Sequence, residues 1–362
     1  MDHLEDHIFM SKAQQLAELG LFTTTPNPRV GCIIVNQNKI VGEGHHRKAG
    51  ENHAEIEALQ MAGEKARGAT AYVTLEPCNH HGRTPPCTDA LIQAGITRVV
   101  AAMQDPNPLV SGQGLEKLRA ANIEVTTGVM ENEARELNIG FISRMTRNRP
   151  WVRMKIAASL DGKTALSNGH SQWITGPDAR RDGHRWRARA CAILTGGGTI
   201  KDDNPQLTVR DVETSRQPLR VIADSKLETP SDAKILIGGN VLIACAIQNE
   251  SLAAPLRAKG AEIIVLPNAS GKVELPQLLN ELAKRGINEL HVEAGYKLNG
   301  SLLREGLVDE LLIYLAPCFL GDGAQGMANL TELADLKNKL ALRIVDTRMV
   351  GSDLRLIAKF YS

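Results

Sequence analysis

The sequence predicts an α/β protein of two domains, and three observations carry that reading. The chain has 362 residues, enough for two cores of ordinary size. Short apolar runs alternate with stretches of helical periodicity along both halves. The periodicity lapses at the basic stretch Arg144-Met145-Thr146-Arg147-Asn148-Arg149-Pro150, which reads as a linker. The expected domains are residues 1–146 and 147–362.

In the first half, Phe9, Ala13, Leu16 and Ala17 share one helical face ahead of Gly20. Residues 30–35 and 39–44 are strand-like and flank the turn Asn36-Gln37-Asn38, a hairpin signal. A helix follows through Ile56-Glu57-Ala58-Leu59. Ala71-Tyr72-Val73-Thr74-Leu75 is a short buried strand that ends at Pro77-Cys78, and ligand sites in open α/β sheets favour such strand ends. Helices are expected from about Thr88, Gly114 and Asn132, with strands over residues 98–102 and 123–125. Together these make a helix-sheet-helix sandwich.

The second half opens on a strand over residues 151–160 and a turn at Ser159-Leu160-Asp161-Gly162. Further strands fit residues 191–194, 219–223, 241–244, 263–265, 290–292 and 311–314, with helices between several and a terminal hairpin. That is a second α/β domain.

Basic and acidic side chains nearly balance, 42 against 41, and aromatics make up 3%. This argues against nucleic acid as a partner, since neither a basic footprint nor a base-stacking platform is present. A free small molecule is the expected substrate. No apolar run is long enough to span a bilayer, and the acidic start Met1-Asp2-His3-Leu4-Glu5-Asp6 is unlike an export signal. The expected location is the cytoplasm, with no membrane partner. Of the six cysteines, Cys32 and Cys245 sit in apolar strand-like runs and read as reduced core thiols.

Chemistry concentrates between His53 and Cys87. His53, Cys78 and Cys87 offer one imidazole and two thiolates, a set that suits zinc and leaves a fourth tetrahedral position for water. Glu55, two residues from the histidine, is too close to be a comfortable ligand but close enough to move protons on and off that water. His-x-Glu at a helix entry followed by Pro-Cys before a second helix is the pattern of zinc nucleobase deaminases. Read alone, Asn52 and Glu55 are equally a capping box, with Asn52 as N-cap. The two readings are compatible if the cap sets His53 in the irregular first turn. Cys87 precedes a second helical run, and helix N-termini favour thiolate.

Eight residues separate the cysteines where two are usual. The insert carries His80, His81 and Arg83 among Gly82, Pro85 and Pro86, so it offers a substrate-phosphate contact or is a plain surface loop. Asn27, between Pro26 and Pro28, is either a turn residue or a reader of a pyrimidine edge, since an amide both donates and accepts. In the second half, Gly196-Gly197-Gly198-Thr199 and the run Glu293-Ala294-Gly295-Tyr296-Lys297-Leu298-Asn299-Gly300-Ser301 each follow a strand and either hold phosphate or simply turn the chain. Neither is the Gly-x-Gly-x-x-Gly dinucleotide fingerprint.

The segment Thr24-Thr25-Pro26-Asn27-Pro28-Arg29-Val30-Gly31-Cys32, the triplet His53-Ala54-Glu55 and Thr74-Leu75-Glu76-Pro77-Cys78 with its distant second cysteine resemble the bifunctional deaminase/reductase family of bacterial riboflavin biosynthesis. The resemblance runs through the whole chain. It implies a cytidine-deaminase-like three-layer α/β/α domain followed by a dihydrofolate-reductase-like α/β domain, with Zn2+ in the first and NADPH in the second. Cofactor contacts carried over by motif are Ala157, Trp173, Thr199, Asp203, Ser225 and the turn Gly295, Tyr296, Lys297, Leu298, Asn299, Gly300 and Ser301. Substrate contacts so implied are Asn27, His80 and Arg83 in the first domain, and Ser171, Arg187, Leu207, Arg210 and Glu293 in the second. Arg187 and Arg210 make sense as partners of a ribose phosphate, although Arg187 lies in a basic helix that reads equally as a solvated face, and Trp173 equally as core. The motif departs from the family at Lys201-Asp202-Asp203-Asn204-Pro205, and few residues separate Arg210 from Gln217.

The implied reactions are hydrolytic deamination of a diaminopyrimidine ribosyl phosphate, with Glu55 carrying protons, and hydride reduction of its opened ribosyl group to a ribityl phosphate. The rival reading is a nucleic-acid-editing deaminase with an appended binding domain. A homo-oligomer is the expected assembly.

Overall fold

A computed structural model describes residues 3–79, 85–108 and 110–361; the expected contacts His80 and Arg83 lie outside these. The chain divides into two compact units, Met1–Arg149 and Pro150–Ser362. The basic stretch expected to be a linker is largely helical. Its first residues complete α6 (Ile139–Arg147), which buries Phe141 and Ser143 and ends at Asn148 in the left-handed region. Inside that helix, Arg147 donates back to Ser143 Oγ (2.6 Å from Nη2) and Thr146 Oγ1 to the Ile142 carbonyl (2.8 Å). The arginines hide the apolar stripe without breaking the helix. Asn148 and Pro150 stop it.

The first unit runs α1 (His3–Glu18), β1 (Gly31–Asn36), β2 (Lys39–His45), α2 (Ala54–Ala62), β3 (Thr70–Val73), α3 (Cys87–Gln93), β4 (Arg98–Ala101), α4 (Gln113–Ala120), β5 (Glu124–Thr127), α5 (Glu131–Leu137) and α6. Among the described residues its strands lie in the order β2-β1-β3-β4-β5. β1 is antiparallel to both neighbours, and β3, β4 and β5 are parallel. Gln37 and Asn38 close the hairpin with positive φ at both positions, as a two-residue turn of the twisted kind requires. Successive residues of β1, β3 and β4 are buried, so these strands are covered on both faces. Met10, Ile33, Ile34, Tyr72, Leu91, Val100 and Leu118 form the centre of that core. Within it, Arg98 grips both Asp6 oxygens at 2.8 Å and the Tyr72 hydroxyl donates to Oδ1 at 2.8 Å, pinning α1 to β3 and β4. Those arginine hydrogen bonds hold the Asp6 carboxyl below its ordinary range.

Gly44 in β2 decides how closely α2 lies on the sheet. A Cβ there would stand 2.2 Å from the Ala54 carbonyl oxygen and 2.6 Å from the Ala58 nitrogen. Since α2 carries His53 and Glu55 at its start, Gly44→Ala is expected to cost the first unit about 1–3 kcal/mol. It should also weaken metal retention while sparing the second unit, as unfolding and metal analysis would show.

The second unit contains β6 (Trp151–Ser159), β7 (Lys163–Ala165), α7 (Pro177–Arg189), β8 (Ala192–Gly196), α8 (Gly197–Asp203), β9 (Leu219–Ala223), β10 (Val241–Cys245), α9 (Glu250–Arg257), β11 (Ala261–Val265), α10 (Leu275–Lys284), β12 (Glu289–Val292), α11 (Tyr296–Arg304), β13 (Glu310–Ala316), β14 (Gln325–Gly326), β15 (Leu342–Val350) and β16 (Asp353–Phe360). Among the described residues nine strands form one sheet, ordered β11-β10-β9-β8-β12-β6-β13-β16-β15. It is parallel from β11 to β13 and antiparallel across β13-β16-β15. The β13/β6 register sets Glu310 beside Arg153, and the β12/β6 register sets Glu289 beside Trp151, diagonal to Arg153 on the same face. Arg153 Nη1 meets Glu289 Oε2 at 2.9 Å and its Nε meets Glu310 Oε1 at 2.5 Å, while Arg189 adds a second cation to Glu289 at 2.8 Å. The Arg153 guanidinium stacks 4.5 Å from the Trp186 ring centre.

Candidate active sites

The first site gathers at the carboxyl end of β3. His53 is the N-cap of α2 with an extended backbone (φ −74°, ψ 159°), and its ring makes no capping bond. The expected capping role of Asn52 is not met. The helix begins one residue later than a capping box requires, and Asn52 Nδ2 instead donates to Glu57 Oε1 at 3.0 Å. Because the N-cap is not helical, His53 and Glu55 escape the rule that residues two apart face different sides. Cys87 is the first residue of α3, after Pro86.

His53 Nδ1 lies 3.3 Å from Cys87 Sγ and 3.5 Å from Cys78 Sγ. Ligands on one tetrahedral zinc, with bonds of about 2.0–2.3 Å, stand roughly 3.5 Å apart. The three side chains therefore fit a single zinc ion as they stand, and among the described residues they are the one cluster with that spacing. Hydrogen bonds from Cys87 and then His53 pull the Cys78 thiol down to about 4, toward thiolate. Glu55 is buried, and burial followed by the Cys78 charge pushes its carboxyl up to about 7.

Two residues that sequence reasoning passed over complete this site. The buried ring of His46 stands edge-on to His53, 5.5 Å between centres. Its Nδ1 faces the Asn52 carbonyl at 2.9 Å and so must donate, which leaves Nε2 to accept from Asn27 Nδ2 at 3.1 Å. Asn27 is thereby tied to the metal cluster with its amide oxygen turned away from His46. Glu76, two residues before Cys78, is also buried and accepts from the backbone amides of Asp105 (3.0 Å), Gly112 (2.9 Å), Gly114 (2.9 Å) and Leu115 (3.4 Å). It caps α4 from another element and fixes the loop that presents Cys78. The signal for both was weak, because each is held by backbone groups, near in the chain for His46 and distant for Glu76, which no residue type marks.

In the second unit the two glycine turns meet. A Cβ on Gly295 would sit 3.4 Å from Thr199 Oγ1, and one on Gly196 equally close to Leu298. β8 and β12 are neighbours, so both turns emerge at adjacent strand ends. Gly197–Asp203 and Tyr296–Arg304 are helices, so each glycine run opens a helix, with its N-terminal amides free for an anion. Ser171 Oγ donates to Asp203 Oδ1 at 2.9 Å, joining an expected substrate contact to an expected cofactor contact. Trp173 is 70% exposed, with Arg180 stacked 4.6 Å from its ring centre, which removes the core alternative. Ala157 lies on β6, and Ser225 Oγ accepts from the Val273 amide at 3.1 Å. Asn299 Nδ2 donates to the Met327 carbonyl at 3.1 Å, Gly300 abuts the Asn329 backbone, and Ser301 Oγ bonds back to the Lys297 carbonyl.

Arg187 does not belong to a solvated face. It turns toward the sheet and pairs twice with Glu293, Nε to Oε1 at 2.5 Å and Nη2 to Oε2 at 2.8 Å. Burial opposes ionisation of Glu293, but Arg187's charge and hydrogen bonds hold its carboxyl well below the usual range. Lys155, on β6 two residues before Ala157, faces the same pair, and burial lowers its pKa. Arg210 is exposed and Leu207 is buried with a positive φ of 52°.

Residues 4–103 match the cytidine and deoxycytidylate deaminase zinc-binding region, and residues 150–356 match the RibD C-terminal domain. The chain is 48% identical to riboflavin biosynthesis protein RibD of Escherichia coli strain K12, over 97% of this chain and 98% of that one. It is 44% identical to RibD of Aquifex aeolicus, over 98% and 99%. Among solved structures, Acinetobacter baumannii RibD superposes with a TM-score of 0.92 at 42% identity over 100% of both chains. A Thermotoga maritima protein described as a diaminohydroxyphosphoribosylaminopyrimidine deaminase/5-amino-6-(5-phosphoribosylamino)uracil reductase gives 0.87 at 34% identity over 99% of both.

Fold and site together define a two-domain enzyme, a deaminase with a zinc-binding region joined to a reductase. Such a pair implies zinc in the first unit and a nucleotide cofactor in the second. The chain belongs to the RibD family, the bifunctional deaminase/reductases of riboflavin biosynthesis. An editing deaminase with an appended nucleic-acid-binding domain is not favoured, because the second unit matches the RibD reductase domain. No helix among the described residues is long and apolar enough to cross a membrane.

Proposed function

We propose that the first unit deaminates a diaminopyrimidine ribosyl phosphate, and that the second reduces the ribosyl group of the product with NADPH. The observation that carries this reading is the spacing of His53, Cys78 and Cys87 beside a buried carboxyl, on a chain that resembles RibD proteins along its whole length. His53, Cys78 and Cys87 would hold zinc, which supplies Lewis acidity and an acidified water. Glu55 takes one proton of the attacking water and passes it to the ring nitrogen, then takes the proton of the newly formed hydroxyl and gives it to the amine, which leaves as ammonia as the C–N bond breaks. Asn27, with its amide orientation set by His46, reads the pyrimidine edge. Arg83 and His80 in the insert are assigned to the ribose phosphate.

In the second unit, Thr199, Asp203, Ser225, Ala157, Trp173 and the turn from Gly295 to Ser301 would hold NADPH, which supplies hydride to the sugar carbon. Ser171, Leu207, Arg210 and Glu293 would hold the substrate, with Arg187 keeping Glu293 ionised and in place. The enzyme would act in the cytoplasm as a homo-oligomer.

Metal analysis coupled to two separate assays tests this. The purified chain should contain about one zinc in the first unit. Stripping it should silence ammonia release yet leave NADPH consumption intact when the deaminated intermediate is supplied. A metal-free chain that still released ammonia would refute the reading.

A further inference from the structure

Residues 207–210 belong to no strand, yet the last three are each held by a side chain from elsewhere. Thr208 offers its carbonyl to Arg187 Nη1 at 3.1 Å. The Gln217 amide brackets Val209, accepting from its N–H at 2.8 Å and donating to its carbonyl at 3.0 Å. The Arg210 N–H donates to His184 Nδ1 at 3.2 Å. Side chains thus supply what a neighbouring strand would, and the frame stabilises Leu207 in a left-handed conformation that a branched-chain residue seldom adopts. His184 and Arg187 are three apart on α7, so both reach the segment from one helix face.

His184 is buried, and its protonation state follows from its partners. Nδ1 receives an N–H, so the ring proton sits on Nε2, which faces Asp211 Oδ2 at 3.5 Å. Burial and the charges of Arg187 and Arg210 keep the imidazole neutral, against the pull of Asp211 and Glu293. Protonation would set a second N–H against that of Arg210 and open the clasp.

We propose that His184 and Gln217 are positioning residues of the reductase: they fix residues 207–210 so that Leu207 and Arg210 meet the pyrimidine ribosyl phosphate. This rests on the substrate role given above to those two residues. Neither His184 nor Gln217 touches the reacting atoms, so their removal falls on KM more than on kcat.

The test compares His184→Leu, His184→Asn, Gln217→Leu and Arg210→Ala in the full-length enzyme, with the deaminated intermediate as substrate at saturating NADPH. His184→Leu and Gln217→Leu should each raise KM roughly three- to tenfold, the worth of a buried hydrogen bond. NADPH affinity and ammonia release should not change. His184→Asn, whose amide oxygen takes the place of Nδ1 and accepts the same N–H, should restore KM. Lowering the pH through the imidazole range should raise KM for the unsubstituted enzyme beyond the rise that titration of the substrate phosphate gives His184→Asn. Hydrogen exchange read by mass spectrometry should quicken over residues 207–210 in both leucine variants but not in Arg210→Ala. Unchanged exchange, or faster exchange with an unchanged KM, overturns the proposal. An Arg210→Ala enzyme with an unchanged KM would instead defeat the substrate assignment. If His184→Leu does not fold, the pH comparison and Gln217→Leu decide.

Discussion

Replacing Glu55 by glutamine should lower ammonia release by roughly 10²–10⁴-fold, the usual worth of a positioned proton carrier. NADPH oxidation should stay unchanged when the deaminated intermediate is supplied. Glutamine fills nearly the same volume in the buried site and keeps hydrogen bonding, but it cannot take a proton from water. The metal content should therefore persist, because the carboxylate lies outside the cluster of His53, Cys78 and Cys87. Two assays on one preparation check this. Loss of both activities in a folded, metal-loaded variant would mean that the two units do not work independently.

The second large effect concerns stability. Arg153→Met is expected to cost about 3–5 kcal/mol, because it deprives the buried Glu310 carboxylate of its arginine and leaves Glu289 with Arg189 alone. The arginine side chain is only 2% exposed, so solvent cannot step in for it. Denaturant unfolding should show the second unit melting earlier, with ammonia release by the first unaffected. Combining Arg153→Met with Glu310→Gln should recover part of the loss, since the penalty comes from stranded charge and not from the missing contact, while Glu289 keeps Arg189.

How much of this was legible in the sequence depended on how local each signal was. The hairpin, the strand before Cys78 and the metal ligands were readable because periodicity, turn residues and soft donors announce themselves within a few positions. The helix through Arg147 was not, since arginines on its outer face masked an apolar stripe that only packing reveals. Asn52 looked like a cap on composition, but the backbone entered the helix one residue later. Arg187 and Glu293 were each expected at the substrate, and their 106-residue separation hid the fact that they pair with one another. His46, Glu76 and His184 escaped for a common reason. Each serves a backbone amide or carbonyl, six residues away for His46 and 26 or more for the others, and a backbone group leaves no mark of that role in the sequence.

That last property has a consequence for Glu76. At Asp105 the peptide N–H survives any exchange short of proline, but Gly112, with φ +83°, and Gly114, where a Cβ would stand 2.2 Å from the Pro77 carbonyl oxygen, cannot take a side chain without strain. It also depends little on ionic strength, since its counter-charge is the dipole of α4 and not a mobile cation. The anchor thus tolerates change at position 105, while the two glycines must stay for the sulfur of Cys78 to keep its place.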